Sequence, residues 1–560
     1  MEFLDARRLT GPSLLFDGPA AIMDVSCTAD EADGLERVWL EQVRRMHETL
    51  GWVQPEFNRQ DLSGGVSLAF TAAIDALYAA SEINEWAWAE CDAEFRGAER
   101  PDFELTVAAL RASAAEEANE RLLALQVASA ARDVTFLWDD DEASLGLGRS
   151  SNTWPVRELP DVESTDWGSY TDVPIGLVTG TNGKTTTVRL ATHILRRADL
   201  NVGLSSTDWI AVNDHIIDRG DWSGPGGARA VLRSNEVDVA ILESARGGLL
   251  RRGLGVDRAN AALITNIAED HLGDFGSRNL SELLDIKWIV SRAVRENGRL
   301  ILNADDDLLV GNSVSFPGEI VWFSLNGENA LISKHTDSGG LAFILDGDEL
   351  VKIQNGEREL ICRNYEIPIA LGGAARHNVA NSLAAAALTW CLGSSLADIR
   401  AGLTSMSQDH NPGRCNIYDV NGRKVLVDFA HNPHAMQALF DMAEALPAQR
   451  RALCFGQAGD RPDDLIRELA RDGWAIGLEH VVVSELATYH RGREPGEVYN
   501  IIREELIRIG ASPEQIEHRD EETESLAAAL DWAEPGDLVI MLALGGSTPI
   551  QEQLRAMGAT

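Results

Sequence analysis

The chain has 560 residues, with 49 basic and 88 acidic side chains and a formal net charge of −39. That balance argues against nucleic-acid phosphates and anionic membrane surfaces as main partners, and it fits attraction of cationic molecules. Apolar residues make up 44% and charged residues 24%, enough to fill several cores and too little charge for global disorder. The six cysteines, Cys27, Cys91, Cys362, Cys391, Cys415 and Cys454, include no CxxC pair. This argues against a zinc ribbon and reads as reduced thiols. The start, Met1-Glu2-Phe3-Leu4-Asp5, has neither the basic nor the apolar stretch of a signal peptide, and no apolar run approaches the roughly 20 residues that span a bilayer. A cytoplasmic protein is expected.

Taken in chain order, residues 1–165 form a first unit. Apolar residues at helical spacing over 35–50, 68–90 and 103–131 predict a mostly helical N-terminal domain. A short strand is expected at 135–138, before the acidic turn 139–142, and 145–168 reads as loop and linker. Trp86 and Trp88 read as core or interface. No phosphate loop, metal spacing or nucleophile constellation occurs in this unit.

From Pro174 the pattern changes to β-branched runs alternating with helical stretches, which predicts a doubly wound, mostly parallel sheet. Strands are expected at 174–179, 237–242, 261–267 and 299–303, followed by a β-rich insertion between about 315 and 372. A second, Rossmann-like α/β series begins near 413, with strands at 424–428, 451–455, 480–484 and 537–543. The expected domains are 1–165, 172–412 and 413–560.

The strongest local signal is Gly180-Thr181-Asn182-Gly183-Lys184-Thr185-Thr186-Thr187, placed between the first of these strands and a helix with one apolar face. Glycines let backbone N–H groups approach phosphate oxygens, and the helix N-terminus adds partial positive charge. Lys184 would contact the β- and γ-phosphates of ATP, and the Thr185 hydroxyl would help hold Mg²⁺. Val178 stands where the general phosphate-loop pattern has its first glycine. The run 237–242 ends in Glu243, and an acid at the carboxyl end of a buried parallel strand near a phosphate loop is where Mg²⁺ is usually held. His271 follows the strand ending Thr265-Asn266-Ile267 and is a ligand candidate at the same sheet edge. Lys287, in the helical stretch 281–295, is a weak candidate on its own.

Together the segment GTNGKTT, Glu243, TNI with Asp270-His271, and Asn303-Ala304-Asp305-Asp306 resemble the Mur ligases of cell-wall peptide synthesis. Within that superfamily the chain is similar to the Mur-ligase-like part of cyanophycin synthetases. The residues that carry this likeness are 242–251 (LESARGGLLR), 220–225 (GDWSGP), and Arg491-Gly492-Arg493 with Gly496-Glu497. The resemblance covers about 172–545. It implies that Lys184 and Thr185 serve phosphate and Mg²⁺, that Glu243 and His271 are metal ligands, and that Lys287 stands where many relatives carry a carbamylated lysine. Asn303, with Asp306 nearby, resembles the residue on the adenine side of the nucleotide. Arg376-His377-Asn378-Val379-Ala380-Asn381 resembles the HNxxN helix start. Pro412-Gly413-Arg414 resembles the PGR whose arginine reaches the ATP phosphates. Asp428-Phe429-Ala430-His431-Asn432-Pro433 resembles DYAHNP, which meets the nucleotide from the C-terminal domain.

The expected reaction is ATP-dependent amide formation through an acyl phosphate, with Lys184, His271, Lys287 and Arg414 as its catalytic groups. The expected substrates are an amino acid or other amine and the carboxylate of an amino acid or short aspartate-containing peptide. About 165 residues precede the phosphate-loop strand, too few for both an N-terminal region and the ATP-grasp domain of cyanophycin synthetases. The aspartate-adding step of that domain is therefore expected to be absent. A nucleotide-binding scaffold acting with a partner ligase subunit is the alternative reading. The resemblance also implies a homo-oligomer.

Overall fold

The computed structural model describes residues 1–270 and 279–560. The N-terminal region opens with four strands, β1 (Glu2–Leu9), β2 (Ala20–Ser26), β3 (Phe57–Leu62) and β4 (Gly65–Thr71), paired antiparallel in the order β1-β2-β4-β3. Helix Ala29–Leu50 packs against this sheet. It starts at a capping box, where Thr28 and Glu31 satisfy each other's backbone donors, and it stops at Gly51 with φ 74°. Leu35, Trp39, Val43 and Met46 are buried beneath it, and Trp39 Nε1 donates to Asn84 Oδ1 (2.9 Å) on the helix Leu77–Arg96. Trp86 is buried in the same core.

The helix expected over 68–90 therefore begins only at Leu77. Residues 65–71 instead form an inner strand bonded on both edges, with 66–70 buried on both faces. A strand buried on both faces shows a continuous apolar run, which periodicity alone does not separate from a buried helix. The expected strand at 135–138 is β5 (Phe136–Trp138), joined through the acidic turn to β6 (Glu142–Leu145) and then β7 (Asn152–Pro155).

The central sheet follows. Its strands are β8 (Ile175–Thr179), β9 (Val202–Ser205), β10 (Trp209–Val212), β11 (His215–Arg219), β12 (Val239–Glu243), β13 (Ala259–Ile264), β14 (Val294–Asn303), β15 (Glu319–Ser324), β16 (Leu341–Asp346), β17 (Glu349–Gln354) and β18 (Glu357–Arg363). Among the described residues they form one sheet in the order β11-β10-β9-β12-β8-β13-β14-β15-β16-β17-β18. The stretch from β9 to β16 is parallel, and the two outer strands at each edge are antiparallel. The runs expected as a β-rich insertion are strands, but they prolong the central sheet and share its apolar core. Helices Lys184–Leu195 and Arg376–Cys391 pack on one face; Pro225–Leu232, Arg246–Arg252 and Leu280–Trp288 pack on the other. Each fully buried aliphatic side chain in these layers contributes about 1.5–3 kcal/mol.

The last sheet comprises β19 (Asn416–Val420), β20 (Arg423–Asp428), β21 (Arg451–Phe455), β22 (His480–Ser484), β23 (Ile516–Arg519) and β24 (Leu538–Leu542), in the order β19-β20-β24-β21-β22-β23. All its pairings are parallel except β19 with β20. The predicted strands of this region fall within a residue of those observed.

Candidate active site

In a parallel sheet the loops at the carboxyl ends of the strands gather the polar groups, and the site is built there. β8 is buried along its whole length and delivers the chain to the phosphate loop 180–183, after which the helix Lys184–Leu195 begins. Two glycines in this loop have no substitute. Gly183 caps the helix with φ 85°, and a Cβ there would lie 2.2 Å from Asn381 Oδ1. Gly180 has φ 140°, and its Cβ would lie 1.9 Å from Thr265 Oγ1.

The loop is braced by the end of β13. Thr181 N–H donates to the Asn266 carbonyl (2.9 Å), Asn182 N–H to Asn266 Oδ1 (3.0 Å), and Thr265 Oγ1 to the Asn182 carbonyl (2.6 Å). Asn303 and Asp306 act one layer behind. Asn303 Nδ2 donates to the Thr265 carbonyl (3.1 Å), and Asp306 accepts Ile267 N–H (2.6 Å) while capping the helix that follows it. Both residues are thus tied into the scaffold of the loop 265–268.

Lys184 Nζ donates to the Thr181 carbonyl (2.8 Å), folded over its own loop. The Thr185 hydroxyl donates to Glu243 Oε2 (3.0 Å) and lies 3.1 Å from the Thr207 hydroxyl. Glu243 is 2% exposed, its Oε1 has no hydrogen-bond partner among the described residues, and burial raises its pKa against the pull of Lys184. A buried carboxylate with one idle oxygen beside a threonine hydroxyl matches the hard-oxygen donor set of Mg²⁺, so the residues present fit that ion. Lys287, a weak candidate from its sequence surroundings alone, is 4% exposed and donates to the Gly180 carbonyl (2.8 Å). Burial, and then repulsion from Lys184, hold its pKa well below the usual lysine range. His271 lies outside the described residues.

The C-terminal domain reaches the loop from the opposite side. Asn432, fully buried, exchanges two hydrogen bonds with the Asn182 side chain (3.0 and 3.2 Å), and His434 Nδ1 sits 2.9 Å from Asn182 Nδ2. Asp428 points inward instead: it accepts Cys415 N–H and Ala430 N–H, both at 2.7 Å, and so shapes the loop that carries His431. His431 Nδ1 bonds the Phe429 carbonyl (3.0 Å), and its Nε2 lies 3.7 Å from Asp270. Arg414 stacks over Phe429 and lies 3.6 Å from Asp208. Asp208 also binds the buried Arg189 (2.6 Å), which bonds Asn411 and the Pro412 carbonyl (both 3.1 Å) and thereby fastens the interdomain connection to the phosphate-loop helix. Burial lowers the Arg189 pKa to about 10.

Sequence reasoning missed Thr207, Asp208, Asn266, Arg189, Asn411 and His434. Thr207-Asp208 follows the carboxyl end of β9, the placement that singled out Glu243, so that signal was available. Arg189 and Asn411 gave none, because their pairing spans 222 residues.

The class defined here is a nucleotide site of the phosphate-loop type, set in a doubly wound sheet and met by a second α/β domain. Two family models match within it, the Mur ligase middle domain over residues 178–389 and the Mur ligase, glutamate ligase domain over 413–545. The chain belongs to the Mur ligase family. It is 34% identical over 372 residues to cyanophycin synthetase of Crocosphaera subtropica, an alignment covering 66% of this chain and 42% of that protein. The chain thus spans about two-fifths of the length of that relative. It is 23% identical over 406 residues to UDP-N-acetylmuramoyl-L-alanyl-D-glutamate--L-lysine ligase of Staphylococcus epidermidis, covering 71% of this chain and 75% of that one. Among solved structures, MurF from Acinetobacter baumannii shares the fold with a TM-score of 0.50 and 18% identity, over 68% of this chain and 77% of that chain. Among the described residues no helix is long and apolar enough to cross a membrane.

Proposed function

We propose that this protein is an ATP-dependent carbon–nitrogen ligase that activates a carboxylate as an acyl phosphate and transfers the acyl group to an amine. The observation that carries the reading is the buried Glu243 carboxylate, with one oxygen idle, facing Thr185 of the phosphate loop. The oxygen of the acid substrate attacks the γ-phosphorus of ATP as the bond to the β-phosphate oxygen breaks, and ADP leaves. The amine nitrogen then attacks the acyl carbon, phosphate leaves, and the nitrogen gives up a proton. Lys184 and Arg414 counter the charge that accumulates on the transferring group. Mg²⁺, held by Thr185 and Glu243, with His271 proposed as a further ligand, supplies charge neutralisation on the phosphates when bound. The C-terminal domain excludes water, which would otherwise hydrolyse the acyl phosphate.

We place the amine at the carboxyl edge of β21 and β22. There Gln457 Nε2 and Ser484 Oγ, both buried, have no hydrogen-bond partner among the described residues, and Glu485 stands next in the chain. Farther along the carboxyl side of the same sheet, past β24, the end of β20 carries His431 and Asn432 toward the phosphate loop. The proposed amine is an amino acid or a related cationic amine, and the proposed acid is an amino acid or a short aspartate-containing peptide. A cytoplasmic homo-oligomer, with residues 1–165, 172–412 and 413–560 as its domains, belongs to the same proposal.

Carbamylation of Lys287 is also part of it, since a buried amine with a lowered pKa is the neutral form that takes up carbon dioxide. Intact-peptide mass spectrometry would read the adduct, which acidification should remove.

The test is phosphate release from Mg-ATP against a grid of carboxylates and amines, including aspartyl peptides, arginine and lysine. Release that requires one acid and one amine together, and that falls by about 10²–10³-fold in Lys184→Ala, is expected. ATP binding without release under any pairing would replace this reading with a nucleotide-binding scaffold working through a partner subunit.

A further inference from the structure

We propose that Asn432 and His434 are positioning residues that latch the C-terminal domain onto the phosphate loop through the Asn182 side chain, and that the latch requires His434 to be uncharged.

The orientation of each group follows from the one before it. The Asn432 side chain caps the helix Pro433–Ala445, and its Oδ1 accepts Ala435 N–H (2.9 Å). A backbone N–H only donates, so this bond fixes which end of the Asn432 amide is oxygen. Asn432 Nδ2 then donates to Asn182 Oδ1 (3.0 Å), and Asn182 Nδ2 returns a bond to Asn432 Oδ1 (3.2 Å). Asn182 Nδ2 therefore has its second hydrogen for His434 Nδ1, 2.9 Å away. An amide NH₂ has no acceptor capacity, so His434 must present a bare Nδ1 and carry its proton on Nε2. Protonating Nδ1 sets two donors against each other and removes that contact.

The main chain of Asn182 is held just as firmly, by Asn266 and Thr265. Its side chain is consequently aimed at the C-terminal domain, and movement of the phosphate loop is transmitted to Asn432 and His434.

His434 lies at the rim of the junction. The charged and titratable groups facing it are Asp306, from the N-terminus of the helix Asp307–Asn312, and His377, on the helix Arg376–Cys391. Its side chain is exposed at its outer edge, yet the loss of hydration on the face turned to the junction outweighs Asp306 and lowers its pKa. With a closed-state pKa below the open-state value, closure releases a proton. The latch is therefore fully present above the ordinary imidazole pKa of about 6.5 and is lost as the pH falls below it, by up to about tenfold in the closed-to-open ratio per pH unit.

The latch does not depend on which reaction the site performs, so it is tested without turnover. Small-angle scattering is recorded on the full chain, with and without ADP, at about pH 8 and about pH 5.5, either side of that pKa. The expected result is a compact wild type at the higher pH and an expanded one at the lower. His434→Gln keeps an acceptor oxygen for Asn182 and does not titrate, so it should stay compact at both. His434→Ala and Asn182→Ala should be expanded at both. An identical pH response in wild type and His434→Gln, or a compact Asn182→Ala, would overturn the proposal while leaving the phosphate-release test untouched.

Discussion

Two buried glutamates, one in the N-terminal region and one in the central sheet, differ in a way that separates structure from chemistry. Glu90 is 3% exposed and Glu243 is 2% exposed. Glu90 receives a guanidinium bond from Arg100 at 2.9 Å, which compensates its charge. Among the described residues Glu243 has only the Thr185 hydroxyl at 3.0 Å and the Thr207 N–H at 3.4 Å on one oxygen, and no partner on the other. A buried carboxylate is costly unless paired, and a fold retains an uncompensated one where a ligand completes it. Burial of an acid is therefore a poor marker of function, whereas its missing partner is a good one.

The largest expected effect falls on the chemistry. Lys184→Ala should lower the rate of phosphate release by about 10²–10³-fold, the usual cost of removing one charge-stabilising group from a transition state. Glu243→Gln should abolish metal-dependent turnover as well, yet raise the melting temperature of the ligand-free protein. Its raised pKa means that holding the ionised form in the fold costs stability at neutral pH, and the amide removes that cost. A fall in melting temperature would place Glu243 with Glu90 and dissolve the contrast.

Next comes Asp208→Asn, which leaves Arg189 buried and Arg414 without its anchor. Denaturant titration should show a loss of about 1–2 kcal/mol, less than for a fully buried pair because Asp208 is 35% exposed and Arg189 keeps Asn411 and the Pro412 carbonyl. Gly183→Ala should cost about 1–3 kcal/mol and weaken ATP binding, because it forces a left-handed backbone and a collision with Asn381. A calorimetric ATP titration on the folded variant would measure the second effect. The smallest effect is expected in the N-terminal region. Thr28→Ala removes one half of a capping box and should cost about 1 kcal/mol with no change in phosphate release. A change in turnover there would show that the first sheet is coupled to the site.

Parts of this molecule were written locally and others were not. The phosphate loop was legible because glycines, lysine and threonine act within a few residues of one another on a strand-to-helix turn. Glu243 was legible because a fully buried parallel strand ends on it. The eight strands predicted for the two α/β units were found, since β-branched runs bounded by turn residues leave few alternatives. The strand 65–71 was not legible, because its apolar run and the Ala-rich helix after it share the same local chemistry, and only pairing with β2 and β3 separates them. A β-rich stretch between about 315 and 372 was read, but its membership of the central sheet was not, because only the parallel pairing of β15 beside β14 joins it there.

The sequence by itself thus determined the eight strands predicted for the two α/β units, the phosphate loop and the acid beside it, for these depend on contacts over a few residues or on strand ends. Tertiary structure alone decided that Asp428 serves the backbone, that Lys287 is buried against Gly180, and that Asn182 faces Asn432 and His434. Those outcomes depend on which groups meet across a hundred residues or more, or on which way a side chain turns in the packed fold. Side-chain type does not encode either of these.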